Sequence, residues 1–265
     1  MTGREIERAL QTTFVRSLRK PFVRAVREFG LVQPGDRVAV CISGGKDSML
    51  LALLLRQRRQ TVDFSLVFLA MDPGYTPAGR AHLEDNAARL GLPLEVFETN
   101  VLQVAANHAA GHPCFLCAKM RRGYLYAEAQ KCGCNKIALG HHYDDAISTV
   151  LLSLLYGGQV QAMLPRVKAK HYAGMELIRP LYYVRERAVE EWVRGCGLTF
   201  LPCDCPARTL ENDTKRAEVR ALIAALAEKN PQVEANIFNA VKNVNTAGLL
   251  GWRDEAGFHS FLDSF

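Results

Sequence analysis

Arg37-Val-Ala-Val-Cys-Ile-Ser-Gly-Gly-Lys-Asp-Ser48 is the stretch that decides the fold of this chain. Its first six residues are mostly apolar and β-branched, which predicts a buried strand. Two glycines interrupt this apolar run, and the composition from Asp47 onward predicts a helix that ends near Arg58. Backbone N–H groups and the positive end of a helix dipole converge at such a turn, and glycines let a phosphate approach the main chain. The stretch therefore predicts an anion site.

The loop of this stretch is not a Walker loop, because the spacing G-x-x-x-x-G-K-[ST] is absent. The alternative is an ordinary turn between a strand and a helix that happens to use two glycines. We favour phosphate binding by the residues of the loop, which are Ser43, Gly44, Gly45, Lys46, Asp47 and Ser48.

The remaining pattern alternates strands with helices of ten to fifteen residues, which predicts an α/β fold with a doubly wound parallel sheet. Further strands are predicted at 62–70, 94–98 and 136–140, with an extended stretch at 177–181. Helices are predicted at 4–29, 78–90, 117–131, 144–156, 185–196, 214–229 and about 232–243. Residues 159–176 are interpreted as an insertion or lid, and the tail as irregular. We expect a basic helical extension at 1–30, a nucleotide-binding domain at 31–200, and a cysteine loop with helices at 201–265.

Ligands of open parallel sheets bind beyond the carboxyl ends of the strands. Three groups of chemically interesting residues follow predicted strands, namely the Ser43 loop, Met71 with Asp72, and Gly140 with His141 and His142. We therefore expect Met71, Gly140 and His141 to contact the ligand of the loop.

Asp144 and Asp145 begin the helix after the fourth predicted strand, where the dipole favours carboxylates. Paired carboxylates close to a polyphosphate commonly hold Mg²⁺. In the alternatives, Asp144 only caps the helix, or a histidine and an aspartate bind zinc. We favour a magnesium site, with Asp47 and Asp144 handling the metal and Asp145 contacting the ligand.

Four of the eight cysteines form two close pairs, Cys114 with Cys117 and Cys203 with Cys205. A C-x-x-C motif presents two sulfurs to one metal, and four thiolates suit a structural zinc. A thioredoxin-like redox pair and inert buried thiols are the alternatives. The other four are interpreted as packing residues, namely Cys41, Cys132, Cys134 and Cys196.

Composition is that of a globular protein, with 49% hydrophobic residues and a net charge of +6. Neither a membrane span nor a signal peptide is predicted, so we expect a cytoplasmic protein with reduced thiols or metal-bound cysteines. The first 28 residues hold seven basic and three acidic side chains, and smaller basic clusters lie at 119–122 and 166–170. Basic clusters on one side of the fold would favour a polyanionic partner, although solvated helix faces are the alternative.

Two motifs carry a family resemblance. Ser-Gly-Gly-Lys-Asp-Ser48 resembles the PP-loop of the N-type ATP pyrophosphatases, and Gly140-His-His-Tyr-Asp-Asp145 resembles the Gly-His-[HN]-x-Asp-Asp motif of PP-loop tRNA-modifying enzymes. Together with Cys114-Phe-Leu-Cys117 and several shorter strings, they are similar to the 2-thiocytidine synthetase (TtcA) family over roughly residues 15 to 245. The resemblance implies a Rossmann-like PP-loop fold and ATP as ligand.

The resemblance also implies a [4Fe–4S] cluster held by Cys114, Cys117 and a later cysteine. The family's Pro-Cys-x-x-Cys is shortened here to Pro202-Cys-Asp-Cys205, and we choose Cys205 as the third ligand, with Cys203 as the alternative. Zinc is the other candidate occupant.

The implied reaction is thiolation of tRNA, in which ATP adenylates a pyrimidine carbonyl oxygen and sulfur then displaces AMP. Arg121, four residues after Cys117, is expected to stabilise charge near the cluster. A cysteine desulfurase or free sulfide would donate the sulfur, and the sequence leaves open whether the chain forms a homodimer. The rival hypotheses are an amidoligase or lysidine-type ligase with structural zinc, and an ATP-sensing metalloprotein without catalysis.

Overall fold

The computed structural model describes residues 1–101, 113–200 and 212–264. Its helices are α1 (Gly3–Gln11), α2 (Lys20–Glu28), α3 (Lys46–Arg58), α4 (Pro77–Arg89), α5 (Pro113–Lys131), α6 (Tyr143–Gly157), α7 (Glu186–Cys196), α8 (Asn212–Lys229) and α9 (Val233–Ala240). Its strands are β1 (Arg37–Ile42), β2 (Ser65–Asp72), β3 (Leu94–Glu98), β4 (Lys136–Ala138), β5 (Arg166–Lys168), β6 (Glu176–Ile178), β7 (Gly251–Asp254) and β8 (Gly257–Ser260).

Six strands form one sheet in the order β3-β2-β1-β4-β6-β5, and every neighbouring pair is parallel except β5 with β6. The predicted doubly wound parallel sheet is confirmed. The chain leaves β1 toward β2 on one side and returns to β4 on the other. A crevice therefore opens between the carboxyl ends of β1 and β4, which is where such folds bind ligands.

The chain divides into two units, residues 1–146 with 164–215 and residues 147–163 with 216–265. The first unit holds the six-stranded sheet. The second contains α9 and the antiparallel hairpin of β7 and β8, with Trp252 stacked on His259 at a ring-centroid distance of 5.1 Å. The predicted boundaries at 30 and 200 stay a prediction.

Helix α3 has apolar residues on all of its faces, and the helix is buried on all of them. Leu50, Leu51 and Leu53 are fully buried, and they share one core with residues of the sheet and of α1 and α2. The α3 sequence Met-Leu-Leu-Ala-Leu-Leu-Leu is therefore the central layer between the sheet and the amino-terminal helices.

The predicted single helix at 4–29 is wrong, because α1 ends at Gln11 and a π-helical segment, Val15–Arg19, precedes α2. The hydroxyl of Thr12 donates to the carbonyl of Arg8 at 3.0 Å, and the Phe14 N–H bonds back to Ala9 at 2.9 Å. A β-branched hydroxyl residue that bonds to the preceding turn competes with the regular helical pattern.

Two further differences concern strands. Residues 159–176, predicted as an insertion or lid, contain β5, which pairs antiparallel with β6 at the sheet edge. The tail predicted to be irregular contains the hairpin of β7 and β8. Both pairs are only three or four residues long, so neither shows enough alternation to predict a strand. Among the described residues, no helix is both long and apolar enough to cross a membrane.

Candidate active site

The Ser43–Ser48 loop joins β1 to α3, and its two serines fix its shape. The Ser43 N–H donates to Oγ of Ser48 at 3.2 Å, and that hydroxyl donates to the Gly45 carbonyl at 2.9 Å. Gly44 has a φ of 80°, which L side chains rarely adopt. The loop therefore closes onto the start of α3, and it requires glycine at position 44.

A cavity of about 420 Å³ opens at the crevice between β1 and β4. Eight residues predicted from the sequence line it: Ser43, Asp47, Ser48, Met71, Arg121, Gly140, His141 and Asp145. The sequence did not single out the other five as ligand contacts: Cys41, Ile42, Arg122, Leu125 and Leu139. The predicted residues Gly44, Gly45, Lys46 and Asp144 lie outside this lining.

Gly140 lets the end of β4 approach the start of α3 closely. A Cβ atom at this position would lie 3.1 Å from the carbonyl carbon of Asp47 and 3.1 Å from the amide nitrogen of Ser48. Real Cβ contacts are rarely this short, so a larger residue would push the two elements apart. Gly140 thus sets the width of the crevice.

Asp47 is the carboxylate that the loop presents to the cavity. Burial raises its pKa above the ordinary value, although Lys46 and His142 oppose this shift. Its Oδ2 lies 3.3 Å from Lys46 Nζ, whereas its Oδ1 is buried and has no hydrogen-bond partner among the described residues. Such an oxygen is costly unless a ligand or cation completes it.

Lys46 points toward α7, where its Nζ lies 3.2 Å from Oε1 of Glu186. Burial disfavours the charged amine, but the carboxylates of Asp47 and Glu186 outweigh it and raise the pKa of Lys46. The ammonium group therefore stays charged beside the loop. Its position is set by two carboxylates from different parts of the chain.

His142 is buried and lies between carboxylates, with Nδ1 3.6 Å from Asp144 and Nε2 3.6 Å from Asp145. Burial favours the neutral ring, but these neighbours outweigh it and raise the pKa of His142. Its main-chain N–H also donates to Asp145 at 3.1 Å. The ring therefore lies between the two aspartates at the start of α6.

Asp144 contacts the start of α7 instead of lining the cavity. Its Oδ2 accepts the main-chain N–H of Glu186 at 2.7 Å, and its Oδ1 lies 3.6 Å from Nε of Arg185. Burial opposes its ionisation, but these contacts and His142 lower its pKa. Asp144 caps α7, while Asp145 is the member of the pair that lines the cavity.

The opposite wall is positively charged. Arg121 and Arg122 of α5 line the cavity, and Arg179 lies buried close by. Burial, together with the charge of Arg122, lowers the pKa of Arg179 to about 10. This excess of cations suits an anionic ligand.

The side chains of the cysteines predicted to hold a cluster all lie outside the described structure. Cys114 and Cys117 belong to the first turns of α5, but their side chains lie outside the described residues. Cys203 and Cys205 also lie outside them. Cys117 precedes Arg121 by four residues, about one helical turn. The C-x-x-C motif therefore lies in the same helix that forms the cavity wall.

The cysteines interpreted as packing residues include Cys41, which lines the cavity. Burial raises the pKa of its thiol to about 12, which keeps it protonated. Cys134 and Cys196 are also buried, and Cys132 is half-buried. The described residues contain no group of three histidine, cysteine or acidic side chains arranged to hold a metal ion.

Comparison with known proteins identifies the family of this chain. A family model described as a PP-loop domain matches residues 10–226. The tRNA-cytidine(32) 2-sulfurtransferase of Pelobacter propionicus is 35% identical over 239 residues, covering 89% of this chain and 88% of that protein. Its namesake from Geobacter sulfurreducens is 37% identical over 232 residues, covering 86% and 89%.

A solved structure shares the fold. It is the U34-tRNA thiolase NcsA from Methanococcus maripaludis with its [4Fe-4S] cluster, which matches with a TM-score of 0.68 and 20% identity. The match covers 86% of this chain and 80% of that one. At this identity, the likeness concerns the fold alone.

Proposed function

The chain belongs to the PP-loop domain family and, within it, to the tRNA-cytidine(32) 2-sulfurtransferases, and we propose that its cavity activates a tRNA cytidine with ATP for thiolation. One observation carries the proposal. Three residues of the Ser43–Ser48 loop line one cavity together with Arg121 and Arg122 of α5, and one of the three, Asp47, has a buried carboxylate oxygen without a partner in the described structure. A phosphate chain, a cation and a developing negative charge would each find a complementary group there.

ATP fits the cavity. The volume of about 420 Å³ lies within the range of small-molecule sites. The loop supplies backbone N–H groups at the start of α3, whose dipole favours an anion. Met71, at the end of β2, lines the cavity and would contact the nucleoside. The polyphosphate would lie along the loop, with Lys46 beside the loop and Arg121 and Arg122 in the cavity lining as its side-chain cations.

Two carboxylates of the cavity lining would hold Mg²⁺. Asp47 Oδ1 is the buried oxygen that a cation would complete, and Asp145 also lines the cavity. Mg²⁺ in nucleotide sites usually takes one or two carboxylates, with phosphate oxygens and waters completing its shell. We therefore assign metal handling to Asp47 with Asp145. Asp144 serves as the positioning residue that caps α7.

The cysteine set fits an iron–sulfur cluster by its chemistry, because thiolates are the ligands of such clusters. Cys114 and Cys117 would hold it at the entrance of α5, with Cys205 as third ligand. When bound, the cluster supplies an iron site for the sulfur that is transferred. Arg121, one turn along the same helix, would stabilise negative charge on the departing group.

The proposed reaction balances without an oxidant. The cytidine O2 attacks the α-phosphorus of ATP, a bond from oxygen to phosphorus forms, and pyrophosphate leaves with the electron pair of the broken bond. A sulfide at the −2 oxidation level then attacks C2, and AMP leaves with the former O2. The products are 2-thiocytidine, AMP and pyrophosphate. Lys46, the loop amides and Arg121 would neutralise charge on the two leaving groups.

Iron content and nucleotide turnover of the anaerobically purified protein test this assignment. We expect a brown protein that releases AMP and pyrophosphate only when unmodified tRNA is present. Cys114→Ala and Cys117→Ala should each lose the iron but keep ATP affinity, whereas Cys196→Ala, a buried thiol far along the chain, should keep both. A colourless wild-type protein that contains zinc, or a Cys117→Ala variant with its full iron content, would contradict the cluster assignment.

A further inference from the structure

Two adjoining cavities along α2 form what we call the basic groove. The first, of about 540 Å³, is lined by four cations and two tyrosines: Arg16, Lys20, Arg24, Arg185, Tyr143 and Tyr183. The second, of about 800 Å³, shares Lys20 and Arg24 with it and adds Arg19, Arg27 and Arg58. The groove is therefore a continuous strip of seven cations.

Few of these charges are neutralised by the protein. Within the described parts of the chain, Arg16, Arg19, Lys20 and Arg27 make no ion pair. The described lining of the first cavity contains no carboxylate, and that of the second contains one, Glu28. The groove is thus more than a solvated helix face, in which acidic and basic side chains alternate.

The surroundings of Arg58 show the same excess of positive charge within the groove. Its Nε is buried and has no hydrogen-bond partner in the described structure. Burial lowers its pKa, and the positive charges of Arg27 and Arg19 lower it further. An anion in the second cavity would complete this guanidinium and relieve the repulsion.

The first cavity pairs its cations with aromatic rings. The guanidinium of Arg24 lies 4.4 Å from the ring centre of Tyr183, and that of Arg185 lies 4.7 Å from the ring centre of Tyr143. Phosphates with stacked bases are the ligand that cations and aromatic faces recognise together. A simple inorganic anion would not require the rings.

The groove meets the active-site cavity at the end of β4. His141 lines the active-site cavity and Tyr143, two residues further on, lines the groove. Two residues of extended chain span about 7 Å. A strand bound in the groove would therefore pass beside the reaction site, separated from it by His142 and the start of α6.

We propose that the basic groove is the docking surface for the tRNA phosphate backbone, with Tyr143 and Tyr183 stacking on unpaired bases next to the target. This inference rests on the proposed function, because it assigns the surface that presents tRNA to the cavity. The cations of the π-helical segment and of α2 hold the backbone, and the tyrosines keep the bases of the loop strand unstacked from one another. A base must leave its stack to reach an enclosed site, which a single-stranded loop allows.

Binding of unmodified tRNA to the anaerobically prepared full chain tests the groove. We expect the triple variant Arg16→Gln/Lys20→Gln/Arg27→Gln to bind tRNA about ten-fold more weakly at moderate salt. The slope of log affinity against log salt should fall by about 2, because three phosphate contacts are lost. Affinity for ATP should not change. A matched control removes three exposed lysines elsewhere, Lys168→Gln/Lys170→Gln/Lys229→Gln, and should bind tRNA like the wild type.

The outcomes separate this inference from the proposed function. If the wild type binds and thiolates tRNA and the triple variant has the same affinity and slope, the groove assignment is wrong. The assignment is also wrong if the control loses binding and the triple variant does not. If the wild type neither binds nor thiolates tRNA, the proposed function itself fails. Tyr143→Leu, which keeps the charges, should lower thiolation more than tRNA affinity; an unchanged thiolation rate would remove the stacking role.

Discussion

Lys46 and Glu186 are 140 positions apart in the sequence, yet Nζ of Lys46 lies 3.2 Å from Oε1 of Glu186. The contact joins the start of α3 to the start of α7. It also connects the Ser43–Ser48 loop with the network of His142 and Asp144, because the Glu186 N–H donates to Asp144. The lysine of the loop is therefore oriented by a helix that the loop sequence does not reveal.

Glu186→Gln should lower kcat about ten-fold without raising the KM for ATP. The lysine loses one of its two positioning carboxylates, while removal of a negative charge does not weaken phosphate binding. A ten-fold effect corresponds to about 1.4 kcal/mol of transition-state stabilisation. Glu190→Gln, on an exposed position one turn along α7, is the control and should leave both parameters unchanged. A rise in KM with unchanged kcat would show that Glu186 acts on binding instead.

Asp47→Asn should reduce AMP formation about 100-fold, roughly 2.7 kcal/mol, because an amide cannot replace a buried carboxylate oxygen beside a cation. The dependence of the rate on magnesium concentration should shift to higher concentrations. Asp85→Asn, an exposed position on α4, removes the same charge as a control. Steady-state assays over a magnesium titration measure both effects. An Asp47→Asn variant with the wild-type magnesium dependence would remove Asp47 from metal handling.

Gly140→Ala should impair the site through its geometry. The added methyl group would meet the backbone of Asp47 and Ser48 at 3.1 Å, so we expect a loss of about 1–3 kcal/mol in the free energy of unfolding. ATP affinity should fall as the crevice widens. Gly157→Ala is the matched control, since nothing lies within 4 Å of its added Cβ. Denaturant unfolding and ATP titration measure the two effects, and equal behaviour of the two variants would refute the close-packing role.

Asp36→Asn should destabilise the fold in a pH-dependent way. Lys136 is buried and lies 2.7 Å from Oδ2 of Asp36, so the variant leaves its charge with only the more distant carboxylate of Glu176, 3.5 Å away, at a cost of about 3 kcal/mol near pH 7. Burial opposes ionisation of Asp36, but hydrogen bonds from Lys136 and Asn135 lower its pKa. Denaturant unfolding at several pH values measures the cost.

The sign of this pH dependence follows from the lowered pKa of Asp36. A carboxyl group of this kind stabilises the fold fully above its unfolded-state pKa of about 3.9, and the contribution is lost as pH falls through the folded-state value. The difference between wild type and Asp36→Asn should therefore be constant from pH 7 to about 5 and shrink below about 4. Asp63→Asn, at an exposed position, should show no such difference. A difference that grows toward acid would contradict the lowered pKa.

The sequence predicted those parts of the fold that depend on local pattern. The strands at 37–42 and 94–98 have the predicted bounds, since each is a short segment bounded by turn residues. The break after α1 was missed because it depends on a hydrogen bond from the Thr12 hydroxyl, within a pattern of apolar residues that continues through it. The β5 strand was missed because three exposed residues carry no alternation and pair only through tertiary contact.

The site was predicted where its residues follow strand ends, and missed where distant elements meet. Seven of the eight predicted lining residues converge because the carboxyl ends of parallel strands share one sheet edge, whereas the eighth, Arg121, comes from the interior of α5. The contacts of Lys46 with Glu186, and of Asp144 with the start of α7, join segments with no recognisable spacing. Hence, the sequence could not tell which aspartate of the pair lines the cavity.

Mass spectrometry of tRNA nucleosides tests the central claim most directly. The anaerobic protein is incubated with unmodified tRNA, ATP, magnesium and sulfide, and the tRNA is digested to nucleosides. We predict 2-thiocytidine in amounts equal to the AMP formed, none when ATP is omitted, and about 100-fold less when Asp47→Asn is used. A protein that contains its cluster and hydrolyses ATP, but leaves every cytidine without sulfur, would contradict the account.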